Sequence, residues 1–283
     1  MTDQRVVELF GIPTVASDID WKKIVKEQYC PYLERACLKV RKSQPDLAIG
    51  TCSVNYGVRD PKDILVCPHR MLSSGRIFID CLHLLRLHEP GNELHRIAQV
   101  EIPGGSVDYF LVSVQSGKVV DFVGIELQTL DTTGTVWPQR QRFLQSVGVG
   151  DIDENYSNKP FGMNWKMTAK TILVQLHHKI ETFEGLGKHL VLIVQDVLFQ
   201  YMTRQFNFGH IGTAKLGHSQ HFHSYTFVKD QNNERKLQLS SRYSTDMQGM
   251  SLALGLQAPA NIELEAILVK LQNKISSRTL LSM

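Results

Sequence analysis

The chain has 283 residues, of which 42% are hydrophobic and 21% charged; it is long enough to bury roughly three-quarters of its unfolded surface, and its composition is that of a globular protein rather than a disordered one. A formal net charge of +3 excludes bulk charge as an argument for nucleic-acid binding, and no apolar stretch approaches the roughly 20 residues needed to span a bilayer. The opening "MTDQRVVELFGIP" lacks a basic region followed by an apolar one, so a cytosolic setting is expected, with no membrane partner.

The local charge balance is less neutral. Between Lys22 and Arg76 basic residues outnumber acids by about two to one, a bias that suits a phosphate-facing patch and equally a solvated helix face. All five cysteines fall in the same third, at positions 30, 37, 52, 67 and 81. Disulfides are disfavoured in a cytosolic chain, which leaves a metal site or small buried apolar residues. Cys30 and Cys67 each precede proline, and Cys52 sits among turn formers in "IGTCSVNYG"; loop positions suit ligands that converge on one ion. Cys81, within the apolar "RIFIDCLHLL", reads as a core residue. A tetrahedral thiolate site needs four sulfurs about 2.3 Å from the metal, usually from paired CxxC knuckles. The spacing Cys-x6-Cys-x14-Cys-x14-Cys contains none, and zinc and iron both accept four sulfurs.

The segment "VEIPGGSVDYFLVSVQSGKVVDFVGIELQTL" reads as two apolar strands, Val107 to Gln115 and Val119 to Leu130, joined by a tight turn at Ser116-Gly117. Glu126 and Gln128 lie two residues apart and therefore share one face of the second strand. A wet strand edge is the plain explanation for that polar pair. A two-residue loop would set Asp108 against Ile125, whereas a three-residue loop, Ser116-Gly117-Lys118, sets it against Glu126. The second register is expected, because two buried acids on separate faces would each need separate compensation.

Two convergent carboxylates suit a divalent cation such as Mg²⁺, which holds water ligands and stabilises charge at a scissile phosphate. An acid followed on the paired strand by acid-x-Lys is the pattern of PD-(D/E)xK nucleases; here Gln128 stands in the lysine's place. Taken with the basic four-cysteine segment "CPYLERACLKVRKSQPD", "IGTCSV" and "CPHRML…RIFID", and with "EIPGGSVDYFLVS" and "GIELQT", the chain resembles restriction endonucleases of the NotI type. The resemblance runs from about Cys30 to Thr129 and, more loosely, through "NWKMTAKTILVQLHHKI" and "HLVLIVQDVL". It implies a type II restriction endonuclease that cuts double-stranded DNA with Mg²⁺ at a GC-rich palindrome, acts as a homodimer, and has an iron ion on Cys30, Cys37, Cys52 and Cys67. Asp108, Glu126 and Gln128 would then form the cleavage site, the first two holding Mg²⁺. A DNA-binding protein whose nuclease core has lost its lysine is the competing expectation.

The expected fold class is α/β, of the α+β mixed-sheet kind: a PD-(D/E)xK core of order α-β-β-β-α-β-α, divided into a metal-binding, DNA-contacting segment at 1–80 and a nuclease core with specificity elements at 81–283. Glu93, after Pro90-Gly91-Asn92, reads as the start of the helix before the hairpin and, like Glu101, as a possible extra acid. Met163 to Phe183 reads as a crossover helix, and "KHLVLIVQDVLFQYM" as a buried strand running into a helix. Lys39, Arg41 and Lys42, close after Cys37, and Arg140 and Arg142, beside Trp137, are candidate DNA contacts. Asn207 to Asp246 reads as a β-rich specificity region, and its His210, His218, His221 and His223 read as neutral histidines before they read as metal ligands.

Overall fold

The computed structural model describes residues 5–149, 161–229, 234–255, 269 and 273. Their centre is a seven-stranded mixed sheet built from β5 (Glu93–Ile102), β6 (Gly105–Gln115), β7 (Lys118–Gln128), β8 (His189–Gln195), β9 (Gly212–Thr213), β10 (Gln220–Lys229) and β11 (Arg235–Thr245). Their spatial order is β9-β11-β10-β8-β7-β6-β5. β1 to β4 form a separate four-stranded sheet ordered β2-β1-β3-β4, from Val6–Leu9, Ile12–Pro13, Thr51–Tyr56 and Lys62–Leu65.

β8 is the most buried strand: "HLVLIVQ" has no exposed member, as a strand parallel to both neighbours requires when both faces are covered. Helix α1 (Trp21–Glu27) lies between β2 and β3 in the chain, and the connection from β7 to β8 carries helices α2 (Trp137–Ser146) and α3 (Trp165–Gly185). The apolar stripe of α3, Ile172, Leu173, Leu176, Ile180 and Phe183, packs on one sheet face with Leu190, Leu192 and Val194. The other face carries Val123, Ile125, Leu127, Val191 and Ile193 against Met71, Leu72, Ile77, Phe78 and Leu84. Alternation along β7 thus turns odd residues to the helical segment 68–84 and even residues, including Glu126, to α3. Helix α4 (Asp196–Gln205) follows β8 directly, and α5 (Met247–Ala253) follows β11. Among the described residues no helix is long and apolar enough to cross a membrane.

One element departs from its sequence reading. Residues 93–102 form an edge strand and not a helix. Leu94, Ile97 and Val100 recur at three-residue spacing, which imitates a helix; a ladder with β6 running from Gly105 against Ile102 to Val114 against Glu93 decides otherwise. Local propensity is a weak prior beside such a ladder.

The two sheets are tied together by buried charge. Arg70 Nε and Nη2 donate to Glu8 Oε2 and Oε1 at 2.9 and 3.0 Å, and Nη2 also donates to the Arg235 carbonyl at 2.5 Å. Ser53 Oγ donates to Glu8 Oε2 at 2.9 Å, and Arg235 Nε reaches Asp63 Oδ2 at 2.7 Å. Gln195, at the end of β8, accepts from Leu65 N and donates to the Asp63 carbonyl. Both Arg70 and Glu8 are almost wholly buried, so removing either leaves an uncompensated charge in low dielectric. Arg70→Met is therefore expected to destabilise the protein by about 3–5 kcal/mol, measured as a fall in the denaturation midpoint; an unchanged midpoint would show that the pair is dispensable.

Candidate active site

The ladder between β6 and β7 begins with Gln115 against Lys118, so the hairpin turn is two residues, Ser116 and Gly117, both at positive φ as a type I′ turn requires. The expected three-residue loop is absent. The extra residue is Val120, a bulge inside β7 between Val114–Val119 and Ser113–Asp121. Turn and bulge together shift the pairing by one, so Tyr109 faces Ile125 and the next residues along are Asp108 and Glu126. There the ladder stops: Leu127 N donates to Asp108 Oδ2 at 2.9 Å. The Asp108 side chain replaces the missing strand partner of a backbone donor and is fixed beside the glutamate.

Glu126 is 4% exposed. Burial raises its pKa from 4.5 to about 7, opposed by a hydrogen bond from Lys179 and reinforced by the negative charge of Asp108. Lys179 Nζ lies 2.6 Å from Glu126 Oε1 and 2.5 Å from the Ser106 carbonyl oxygen. This lysine, on α3, was not singled out by sequence. Its signal was available: in a helix whose buried stripe is Ile172, Leu176, Ile180 and Phe183, Lys179 lies on the apolar side, where an unpaired ammonium is costly.

Glycines bring α3 this close. At Gly104, with φ +95°, a Cβ would lie 2.2 Å from the His178 carbonyl oxygen; at Gly124 it would lie 2.4 Å from the Phe183 ring. Thr182 Oγ1 donates to the Pro103 carbonyl at 3.0 Å. "IPGGS" and "GIELQ" are thus the two surfaces that receive the helix. Gln128, half-buried at the end of β7, donates from Nε2 to the Thr129 carbonyl at 2.6 Å. Glu93 faces Val114, six residues along β6 from Asp108, and its contact is with His95; it does not join the site. Glu101 is exposed and opposite Ser106.

The cysteines are free thiols. Cys30, Cys52 and Cys67 are buried and Cys37 is half-buried. Cys52 lies in strand β3 rather than in a loop. Burial raises the pKa of Cys37, Cys52 and Cys67; Cys30 adds to the rise at Cys37, Cys67 at Cys52, and Cys37 at Cys67. The backbone N–H groups of His69 and Arg70 near Cys67, and of Lys39 and Gly50 near Cys37, oppose that rise. Among the described residues no three His, Cys, Asp or Glu side chains are grouped as metal ligands. Cys81 is fully buried in the core, as expected.

A model of the NotI restriction endonuclease family matches residues 27–235, about three-quarters of the chain. The chain belongs to the NotI restriction endonuclease family. It is a type II site-specific deoxyribonuclease, and its partner is DNA. No curated protein and no solved structure matches it.

In this endonuclease the candidate DNA contacts separate by burial. Arg140 is an internal residue and not an exposed DNA contact: it is 2% exposed, donates from Nε to the Ile49 carbonyl at 2.8 Å and from Nη1 to Gln141, and stacks 4.5 Å from Trp137. Its burial lowers its pKa to about 10, and its role is internal. Arg41 also lies 4.5 Å from the Trp137 ring and donates to Gln44. Lys39 Nζ is tied to the Val66 carbonyl at 2.5 Å, Arg142 is half-buried, and Lys42 is exposed. His221 and His223 are buried on β10 and held neutral, their pKa values pushed to about 3 and about 2 by burial.

The raised pKa of Glu126 fixes the sign of a pH effect. Folded protein binds the proton more tightly than unfolded chain, so the stabilisation is complete below pH 4.5 and is lost as pH rises through about 7. Without divalent ions, the melting temperature of wild type relative to Glu126→Gln is expected to decline across that window; a flat difference would contradict the burial.

Proposed function

We propose that this endonuclease hydrolyses double-stranded DNA with Mg²⁺ held by Asp108 and Glu126 in a PD-(D/E)xK-type core. The convergence of these two carboxylates at the open end of the β6–β7 ladder carries the reading. The donor set fits: Glu126 Oε1 is taken by Lys179, and Oε2 carries no hydrogen bond among the described residues. Asp108 Oδ1 has only a long, 3.5 Å contact from Gln99. Hard oxygen donors of this kind suit Mg²⁺, which when bound supplies a more acidic water and neutralises charge at a phosphate oxygen. Asp108 and Glu126 orient the ion on a rigid strand pair. Gln128, on the same face as Glu126, orients water or a phosphate oxygen through its amide; turning from the Thr129 carbonyl frees it to do so.

The target we propose is a short, GC-rich palindrome cut by a homodimer, since a two-fold protein reads a two-fold site. Residues 1–80 then form the metal-binding, DNA-contacting segment and 81–283 the nuclease core. Cys30, Cys37, Cys52 and Cys67 are the thiols that would hold a structural iron ion; among the described residues they are not gathered as a ligand group, so binding would draw the sulfurs together and deprotonate them.

Incubation with plasmid and phage DNA plus Mg²⁺ is expected to give discrete bands, and sequencing of the ends gives the site; a smear would refute sequence specificity. Glu126→Ala is expected to reduce cleavage by about a thousand-fold, several kcal/mol of transition-state stabilisation, while the fold and DNA affinity persist. Undiminished cleavage would sink the assignment. Cys52→Ser and Cys67→Ser are expected to lose the metal and to destabilise the N-terminal part, and Cys81→Ser to retain it, all by elemental analysis; metal-free wild type would refute the site.

A further inference from the structure

The lysine that a PD-(D/E)xK strand carries two residues after its second acid is replaced here by Gln128, yet a buried ammonium reaches the same glutamate from a different element. We infer that Lys179 is the cation of this cleavage site: a positioning residue on α3 that fixes Glu126 and supplies the positive charge that position 128 lacks. The inference rests on the metal-site reading of Asp108 and Glu126.

Three observations carry it. Lys179 is 5% exposed and Glu126 4%, so their contact is not a solvated surface pair of small consequence. The ammonium is bound on two sides, by Glu126 Oε1 and the Ser106 carbonyl, which leaves Nζ one further hydrogen to donate. Its geometry is also built by the backbone: Gly104 admits the helix at His178, Gly105 Cα faces the lysine stem, where a Cβ would lie 3.4 Å from Lys179 Cε, and Thr182 ties the next turn to Pro103. One Glu126 oxygen is thereby held by the helix, and Oε2 is left as the donor for the ion.

The test compares Lys179→Met, Lys179→Met with Gln128→Lys, and Glu126→Ala in the full chain, by single-turnover cleavage and by DNA affinity in Ca²⁺. Lys179→Met is expected to lose at least 100-fold in cleavage with DNA affinity within about three-fold, and added Gln128→Lys to recover at least ten-fold. A lysine that merely docked the helix could not be replaced from the strand, so absence of recovery overturns the inference. So does Lys179→Met cleaving within ten-fold of wild type. Full cleavage by Glu126→Ala would instead remove the metal-site reading itself. Should Lys179→Met fail to fold, Lys179→Gln, which can still donate to Ser106, takes its place under the same criteria. Independently of cleavage, thermal midpoints of Lys179→Met, Glu126→Gln and their combination are expected to be non-additive, the double variant losing less than the sum; strict additivity would deny the coupling.

Discussion

The close approach of α3 to the β5–β6 turn and to β7 is the constraint on which the rest of the site depends. It is a backbone-to-backbone contact at Gly104, where any side chain would enter the His178 carbonyl, and a ring-to-backbone contact at Gly124. A helix standing one side chain further off would leave Lys179 out of reach of Glu126. The glutamate would then be a buried carboxylate beside another acid, and burial together with Asp108 already pushes it toward protonation. In the proposed site Glu126 must be ionised to hold the ion. The glycines therefore act on that chemistry at one remove: they set a distance, the distance places an ammonium, and the ammonium favours the charged form of the glutamate.

A second chain of dependence runs through "CPHR". Cys67 is one of the four candidate cysteines and stands at the N-cap position of the helical turn Pro68–Gly75, without a side-chain cap bond. His69, next but one, feels the charge of Asp108, which opposes the lowering of its pKa by burial. Arg70 closes the buried pair with Glu8 and reaches the β11 backbone. Three near-consecutive residues thus link the cysteine-bearing part, the proposed cleavage site and the far side of the sheet. The segment that carries them packs its own apolar residues on β7 through Ile125 and Leu127, the odd-numbered face behind Glu126. A change in folding of the N-terminal part has a short mechanical route to the strand that carries the acids.

What could be read from sequence was whatever depended on neighbours along the chain. The hairpin, the buried strand at residues 189–195, the crossover helix and the convergence of Asp108 on Glu126 followed from alternation, helical spacing and turn residues. The register was anticipated by the wrong route: the pairing needs one extra residue, and sequence patterning does not distinguish a longer turn from a bulge at Val120, because both restore the same alternation. Residues 93–102 failed because their apolar spacing fits two periods, and the partner that decides lies across a turn. Arg140 failed because nothing local reveals that Ile49, 91 residues earlier, will accept its hydrogen bond. Lys179 is the most instructive omission: its partner is 53 residues away, and the only local sign was a charge on an apolar stripe.

Gln128 acquires a physical meaning from the seated lysine. Two ammonium groups converging on one buried carboxylate would repel each other in a medium where charge is poorly screened, and each would carry its own desolvation cost. With Lys179 already seated between Glu126 and Ser106, a neutral side chain at 128 is the compatible choice, and an amide keeps both a donor and an acceptor for water or phosphate. Glutamine in the strand and lysine in the helix are then one arrangement of charge rather than a loss beside a coincidence. In the proposed site the cation comes from an element whose position is set by glycines, which leaves the strand free to orient the substrate.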